Sequence, residues 1–69
     1  MKKVLLKDWL KNERLKRGMT QSEFAKMIGV TLASISHYEQ GDIPRLNVIK
    51  KISTTLDVDY VTLYKMIGD

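Results

Sequence analysis

Sixty-nine residues, 43% hydrophobic and 29% charged, make an ordinary globular chain with room for one domain and one thin core. Without cysteine there is no disulfide, thiolate metal ligand or cysteine nucleophile, and the longest apolar run, Val4-Leu5-Leu6, falls far short of the roughly 20 residues of a bilayer span. Both absences suit a protein of the reducing cytoplasm. Lysine and arginine number 12 against 8 acidic residues, a formal charge of +4, which favours acidic partners.

The basic residues are unevenly placed. Lys2, Lys3, Lys7, Lys11, Arg14, Lys16, Arg17 and Lys26 fall early in the chain, where only Asp8, Glu13 and Glu23 oppose them. Such a half would attract a phosphate backbone, and a solvated helix face accounts for it equally well. Apolar residues recur at helical spacing and no stretch alternates as a strand does, so the fold class is all-α. The first helix is expected over Val4 to Arg17, with Leu6, Leu10 and part of Trp9 facing inward. A capping box of Thr20 with Glu23 opens a second helix, Gln21 to Ile28, burying Phe24, Ala25 and Ile28. Thr31 caps a third, Leu32 to Gln40, burying Ile35 and Tyr38. After Pro44 a fourth runs from Leu46 to Leu56 and buries Leu46, Ile49, Ile52 and Leu56. Asp59 caps a fifth, Tyr60 to Met66. Gly18, Gly29, Gly41 and Gly68 are the expected stops. Trp9, Tyr60 and Tyr64 are large enough to close the core between the first and last helices, while Met19, Met27 and Met66 suit gaps in it.

The informative stretch is QSEFAKMIGVTLASISHYEQ, residues 21 to 40. Two helices meeting steeply through a short turn need a small residue where they touch and one tolerant of positive φ between them. Ala25 and Gly29 meet those demands, with Phe24, Ile28, Val30, Ile35 and Tyr38 on the inner faces.

The ordered set RLKRGMTQSEFAKMIGVTLASISHYEQG, a following proline, the spacing Leu46, Ile49, Ile52, Leu56, and then LDVDYVTLY resembles the phage-repressor and Cro family of XRE-type helix-turn-helix regulators. The resemblance runs from about Leu10 to Tyr64. It implies a compact five-helix, lambda-repressor-like DNA-binding domain filling residues 1 to 69, with its motif at 21 to 40 and with double-stranded DNA as partner. In such proteins the second motif helix enters the major groove. By that resemblance Thr31, Leu32, Ala33, Ser36 and His37 become candidates to read bases, while Gln21, Gln40, Lys26 and Arg45 become candidates to touch the DNA backbone. Leu32 and Ala33 can make only apolar contacts, for which a thymine methyl is the available partner, whereas Ser36 and His37 can address purine N7 or O6. No side chain on this face offers a bidentate contact, so specificity is expected to be modest or to lean on DNA shape.

Arg14 and Glu39 resemble the family's partly buried ion pair, a structural element with Ala25, Gly29 and Ile35. Val61, Leu63 and Tyr64 are candidates for a homodimer contact, which would set two reader helices on a near-palindromic operator. A transcriptional repressor, encoded by a phage or a bacterium, is the function that follows. An antitoxin-like interaction module with autoregulatory DNA binding is the alternative, favoured by an uncovered apolar patch on the last helix. A lone His37 cannot make a metal site, Asp57 and Asp59 read as a turn and a cap, and neither enzymatic activity, a cofactor nor a small-molecule ligand is expected.

Overall fold

The computed structural model describes residues 4–67. Five helices follow one another: α1 (Leu6–Lys16), α2 (Gln21–Ile28), α3 (Leu32–Gln40), α4 (Leu46–Leu56) and α5 (Tyr60–Lys65). Helix α3 packs against α1 and α2, and α4 packs against α2 and α5. No helix among the described residues is long and apolar enough to cross a membrane.

Local chemistry explains most of the boundaries. The Thr20 hydroxyl accepts from the Glu23 N–H at 3.1 Å, and the Thr20 N–H donates to the Glu23 carboxylate at 2.9 Å, which starts α2. Thr31 accepts from the Ser34 N–H at 3.1 Å to start α3, and Asp59 accepts from the Val61 N–H at 3.1 Å to start α5. Helix α1 is shorter than the spacing suggests. Leu5 is extended (φ −83°, ψ 147°) and offers no capping side chain, so Val4 and Leu5 stay outside the helix, while Arg17 becomes its C-cap. The first helical N–H, that of Leu6, donates to the Met66 carbonyl at 3.0 Å, so the end of α5 supplies the partner that no cap provides. Helix α4 ends without a glycine. Asp57 takes the left-handed conformation (φ 55°), the one non-glycine residue with positive φ among those described, and the Ser53 hydroxyl donates to the Val58 carbonyl across the turn. Helix α5 stops at Lys65 with Met66 as its cap, and Gly68 lies outside the described residues.

Leu6, Leu10, Phe24, Ala25, Ile28, Ile35, Ile49, Ile52, Leu56 and Leu63 form the core. Trp9, Met19, Val30, Tyr38 and Met66 pack against it while partly exposed, so Tyr38 is less buried than its spacing suggests. Four expectations are corrected. Leu46 is 51% exposed because the inner face of α4 is centred on Ile49, Ile52 and Leu56, and Leu46 lies roughly a quarter turn around the helix from that line. Tyr60 and Tyr64 are exposed and do not close the core; Trp9 alone of the three packs on it. Met27 is exposed rather than gap-filling. Leu63 is fully buried, so a contact with a second copy would fall to Val61 and Tyr64.

One polar joint holds α3 in place. Arg14 in α1 forks onto Glu39 in α3, Nε to Oε2 at 2.8 Å and Nη2 to Oε1 at 3.1 Å, while its Nη1 donates to the Met19 carbonyl at 3.0 Å. The Gln21 amide in α2 donates to the same carboxylate at 3.1 Å. The side chains of Arg14 and Glu39 are only 12% and 6% exposed. Burial by itself would push the Glu39 carboxyl up. The hydrogen bonds from Arg14 and Gln21, with the charges of Arg14 and Lys11, outweigh it and hold the group below the ordinary carboxylate range. The hydrogen bond to Glu39 raises the Arg14 guanidinium in turn, against its own burial.

Removing one partner strands the other, so Arg14→Ala should cost about 3 to 5 kcal/mol in urea unfolding. Arg14→Lys, which keeps charge but loses the fork, should fall between it and the parent. Glu39 in the unfolded chain regains its ordinary pKa near 4.3, so its contribution is complete above that value and disappears as pH falls through the lower folded one. Glu13 adds in the same direction, held down first by the Lys16 hydrogen bond, against burial, and then by Arg17. The urea midpoint should therefore be flat from about pH 7 to pH 5 and drop below that. Glu39→Gln should start lower and drop less; an equal drop in both proteins would show that Glu39 is not the group responsible.

Candidate nucleic-acid interface

The turn between α2 and α3 sets the angle at which the face of α3 is presented. Gly29 has φ 91°, a conformation that disfavours any residue with a Cβ, and both its N–H and that of Val30 donate to the Ala25 carbonyl, at 2.8 and 2.9 Å. Ala25 is 3% exposed, so α2 carries a methyl group where a larger side chain would push its neighbours apart. Ile28 on α2 and Ile35 on α3 are both buried across this junction, and Val30 is half-buried beside them.

Ile35 is the only fully buried residue of α3, and Tyr38 and Glu39 flank it on the inner side. At about 100° per residue, Ala33, Ser36, His37 and Gln40 then occupy one arc of roughly 100° on the opposite side, with Leu32 at its edge next to Glu39. Leu32, Ala33, His37 and Gln40 are exposed and Ser36 is half-buried, while Thr31 is exposed at the cap. The base-reading candidates are thus brought together on a single open face.

Their polar groups are partly engaged with one another. The Thr31 hydroxyl donates to the Ser34 hydroxyl at 2.9 Å, and the Gln40 amide donates to the Ser36 hydroxyl at 3.2 Å. His37 Nδ1 lies 3.5 Å from the Asp42 carboxylate, with both side chains largely in water. Gly41 makes that approach possible, since its left-handed conformation turns the chain so that the Asp42 N–H donates to the His37 carbonyl at 3.0 Å. Sequence spacing alone did not single out Asp42.

The backbone candidates are more scattered. Lys26 is exposed in the last turn of α2 and Arg45 at the N-cap of α4; neither forms an ion pair among the described residues. The Gln21 amide nitrogen is committed to Glu39, so its side chain serves the joint. Lys51 is a cation that sequence reasoning passed over. Its ammonium donates to the Gly29 carbonyl at 3.4 Å and so stands at the turn leading into α3. Only the packing of α4 against α2 brings it there, and helical periodicity within α4 carries no sign of it.

A family model described as helix-turn-helix matches residues 10–63, a span from inside α1 to inside α5 that takes in all of α2, α3 and α4. No curated protein and no solved structure matches the chain. The capped helix pair, its tight glycine turn and the open face of α3 all lie within the matched span. The chain belongs to the helix-turn-helix family of the XRE, Cro-like kind, and is a DNA-binding regulator.

Proposed function

We propose that this regulator is a repressor of the Cro type that binds a near-palindromic operator as a homodimer, with one domain carrying its reader motif at residues 21 to 40. The observation that carries the reading is the open arc of α3, held by a buried ion pair and lined by side chains able to contact base edges. Thr31, Leu32 and Ala33 enter the major groove first, at the end of the helix that such proteins direct against bases. Ser36 and His37, one turn on, address purine N7 or O6. Gln21 meets a phosphate through its backbone N–H at the start of α2, since its side chain is occupied by Glu39. Lys26 and Arg45 meet the backbone on either side of α3, and Gln40 meets it at the end of that helix. Occupying the operator excludes polymerase; no enzymatic step, cofactor or small-molecule ligand enters the mechanism. The setting is the cytoplasm of a bacterium, with the gene carried by the host or by a phage.

The homodimer draws its support from α5. Val61 and Tyr64 are 44% and 60% exposed and, with Leu46 and Tyr60, line a shallow apolar groove. A two-fold contact there would place two reader helices about one turn of B-DNA apart. The same uncovered surface also favours the antitoxin-like reading, in which a different protein covers it and DNA binding is autoregulatory.

Selection of bound sequences from random duplexes, followed by salt titration of the winner, tests the proposal. A palindromic winner that takes two copies per duplex is expected, with log K falling linearly against log salt. Arg45→Gln should flatten that slope by about 1 if it removes one phosphate contact. His37→Ala should relax selection at one position in each half-site and leave the slope nearly unchanged. Tyr64→Asp should reduce binding to one copy and lower affinity on the full palindrome. A winner without symmetry, bound by a single copy, would reject the homodimer and favour the antitoxin-like alternative.

A further inference from the structure

Resting on the DNA-binding reading above, we propose that Leu32 and Ala33 recognise the C5-methyl group of pyrimidines in the major groove, so that binding responds to cytosine methylation as well as to thymine. The argument begins with what the first turn of α3 offers. Leu32 is 50% exposed and Ala33 is exposed, and neither can donate or accept a hydrogen bond. The hydroxyl beside them is already employed: Thr31 donates to Ser34 at 2.9 Å and accepts from the Ser34 N–H at 3.1 Å. One turn further on, Ser36 accepts from Gln40 at 3.2 Å. The leading end of the reader surface is therefore apolar, with its neighbouring polar groups turned along the helix.

The edges of the bases in the major groove carry one apolar group, the C5-methyl of thymine. Cytosine has hydrogen at that carbon, and 5-methylcytosine has the same methyl. A hydrocarbon contact registers that methyl and does not depend on whether the adjacent exocyclic group is the O4 acceptor of thymine or the N4 donor of cytosine. Telling those two apart requires a donor or an acceptor, and the nearest on the arc are Ser36 and His37, a turn away. Beneath Leu32 and Ala33, thymine and 5-methylcytosine form one class, and uracil and unmethylated cytosine form another.

Two comparisons isolate the methyl from the rest of the base pair in a duplex selected for tight binding. T·A is replaced by U·A at each position in turn, and C·G is compared with 5-methylC·G at the same positions. At one or two positions per half-site, uracil should weaken binding about fourfold per methyl, and methylation of cytosine should strengthen it by a similar factor. Leu32→Ala should bring the factor at one such position close to unity. Leu32 is half-exposed and the helix cap belongs to Thr31, so this variant should melt like the parent. Equal binding of the thymine and uracil duplexes at every position, or a methyl effect unchanged in Leu32→Ala, would overturn the proposal while leaving DNA recognition intact. Failure of the parent protein to bind any duplex at low salt would overturn both.

Discussion

The fork of Arg14 onto Glu39 gives α1, α2 and α3 a directional joint beside the apolar core that they share. The guanidinium comes from α1, the carboxylate from α3, and the amide that completes the carboxylate's shell comes from Gln21 at the start of α2. A chain of 69 residues buries only about 60% of the surface its unfolded form exposes, so its hydrophobic core has little surplus with which to hold a short helix at a fixed angle. Helix α3 has nine residues with only Ile35 fully buried, so apolar packing alone constrains its rotation about its own axis weakly. Directional hydrogen bonds supply that definition. A planar guanidinium meeting a planar carboxylate through two bonds resists rotation in a way that a methyl against a methyl does not. Replacing the pair by hydrocarbon could preserve stability and still leave the reader face less exactly set.

The second constraint is backbone accounting. Helices of six to eleven residues have most of their polar backbone groups near an end, where partners are missing unless the sequence supplies them. Thr20, Thr31 and Asp59 supply them at three starts, and Met66 supplies one at the start of α1. That last bond has a topological consequence: it ties the first helix to the end of the fifth.

These facts explain which parts of the fold were legible in the sequence. Both ends of α2 and α3 and the start of α4 agree with expectation because local signals mark them: a capping box, a threonine cap, glycine at the left-handed stop, and proline before Arg45. The start of α1 was misread because apolar spacing continues through Val4 and Leu5 although no cap is present. Leu46 was misread for a related reason, since three- and four-residue spacing admits more residues than one face of a helix can bury, and only the neighbours of α4 decide where its inner line falls. Size suits Tyr60 and Tyr64 to closing the core and Tyr64 equally to a dimer contact; Leu63 between them takes the core position and leaves both tyrosines outside. The open arc of α3 was legible because the positions of Ile35 and Tyr38 determine its opposite side. The approach of Lys51 to Gly29 and of Asp42 to His37 was not, because one depends on helix packing and the other on a left-handed turn.

What the arc lacks shapes how it works. A guanidinium or carboxamide directed at a base edge gives discrimination of about 1 to 3 kcal/mol through a bidentate pair; neither Leu32 nor Ala33 can form one, and the carboxamide on the arc, that of Gln40, donates to Ser36. Apolar contacts are weaker individually but tolerate small shifts, whereas a bidentate pair demands that the helix be set within a fraction of an ångström. That would make a rigid joint beneath α3 matter less for discrimination, yet the joint is present. Its use lies with the other half of the arc. In the proposed reading His37 brings a ring nitrogen to a base edge from a position near Asp42, and that geometry depends on the rotation of α3. The ion pair on the inner face and the imidazole on the outer face are two residues apart on the same helix, so a rotation that strained one would misdirect the other.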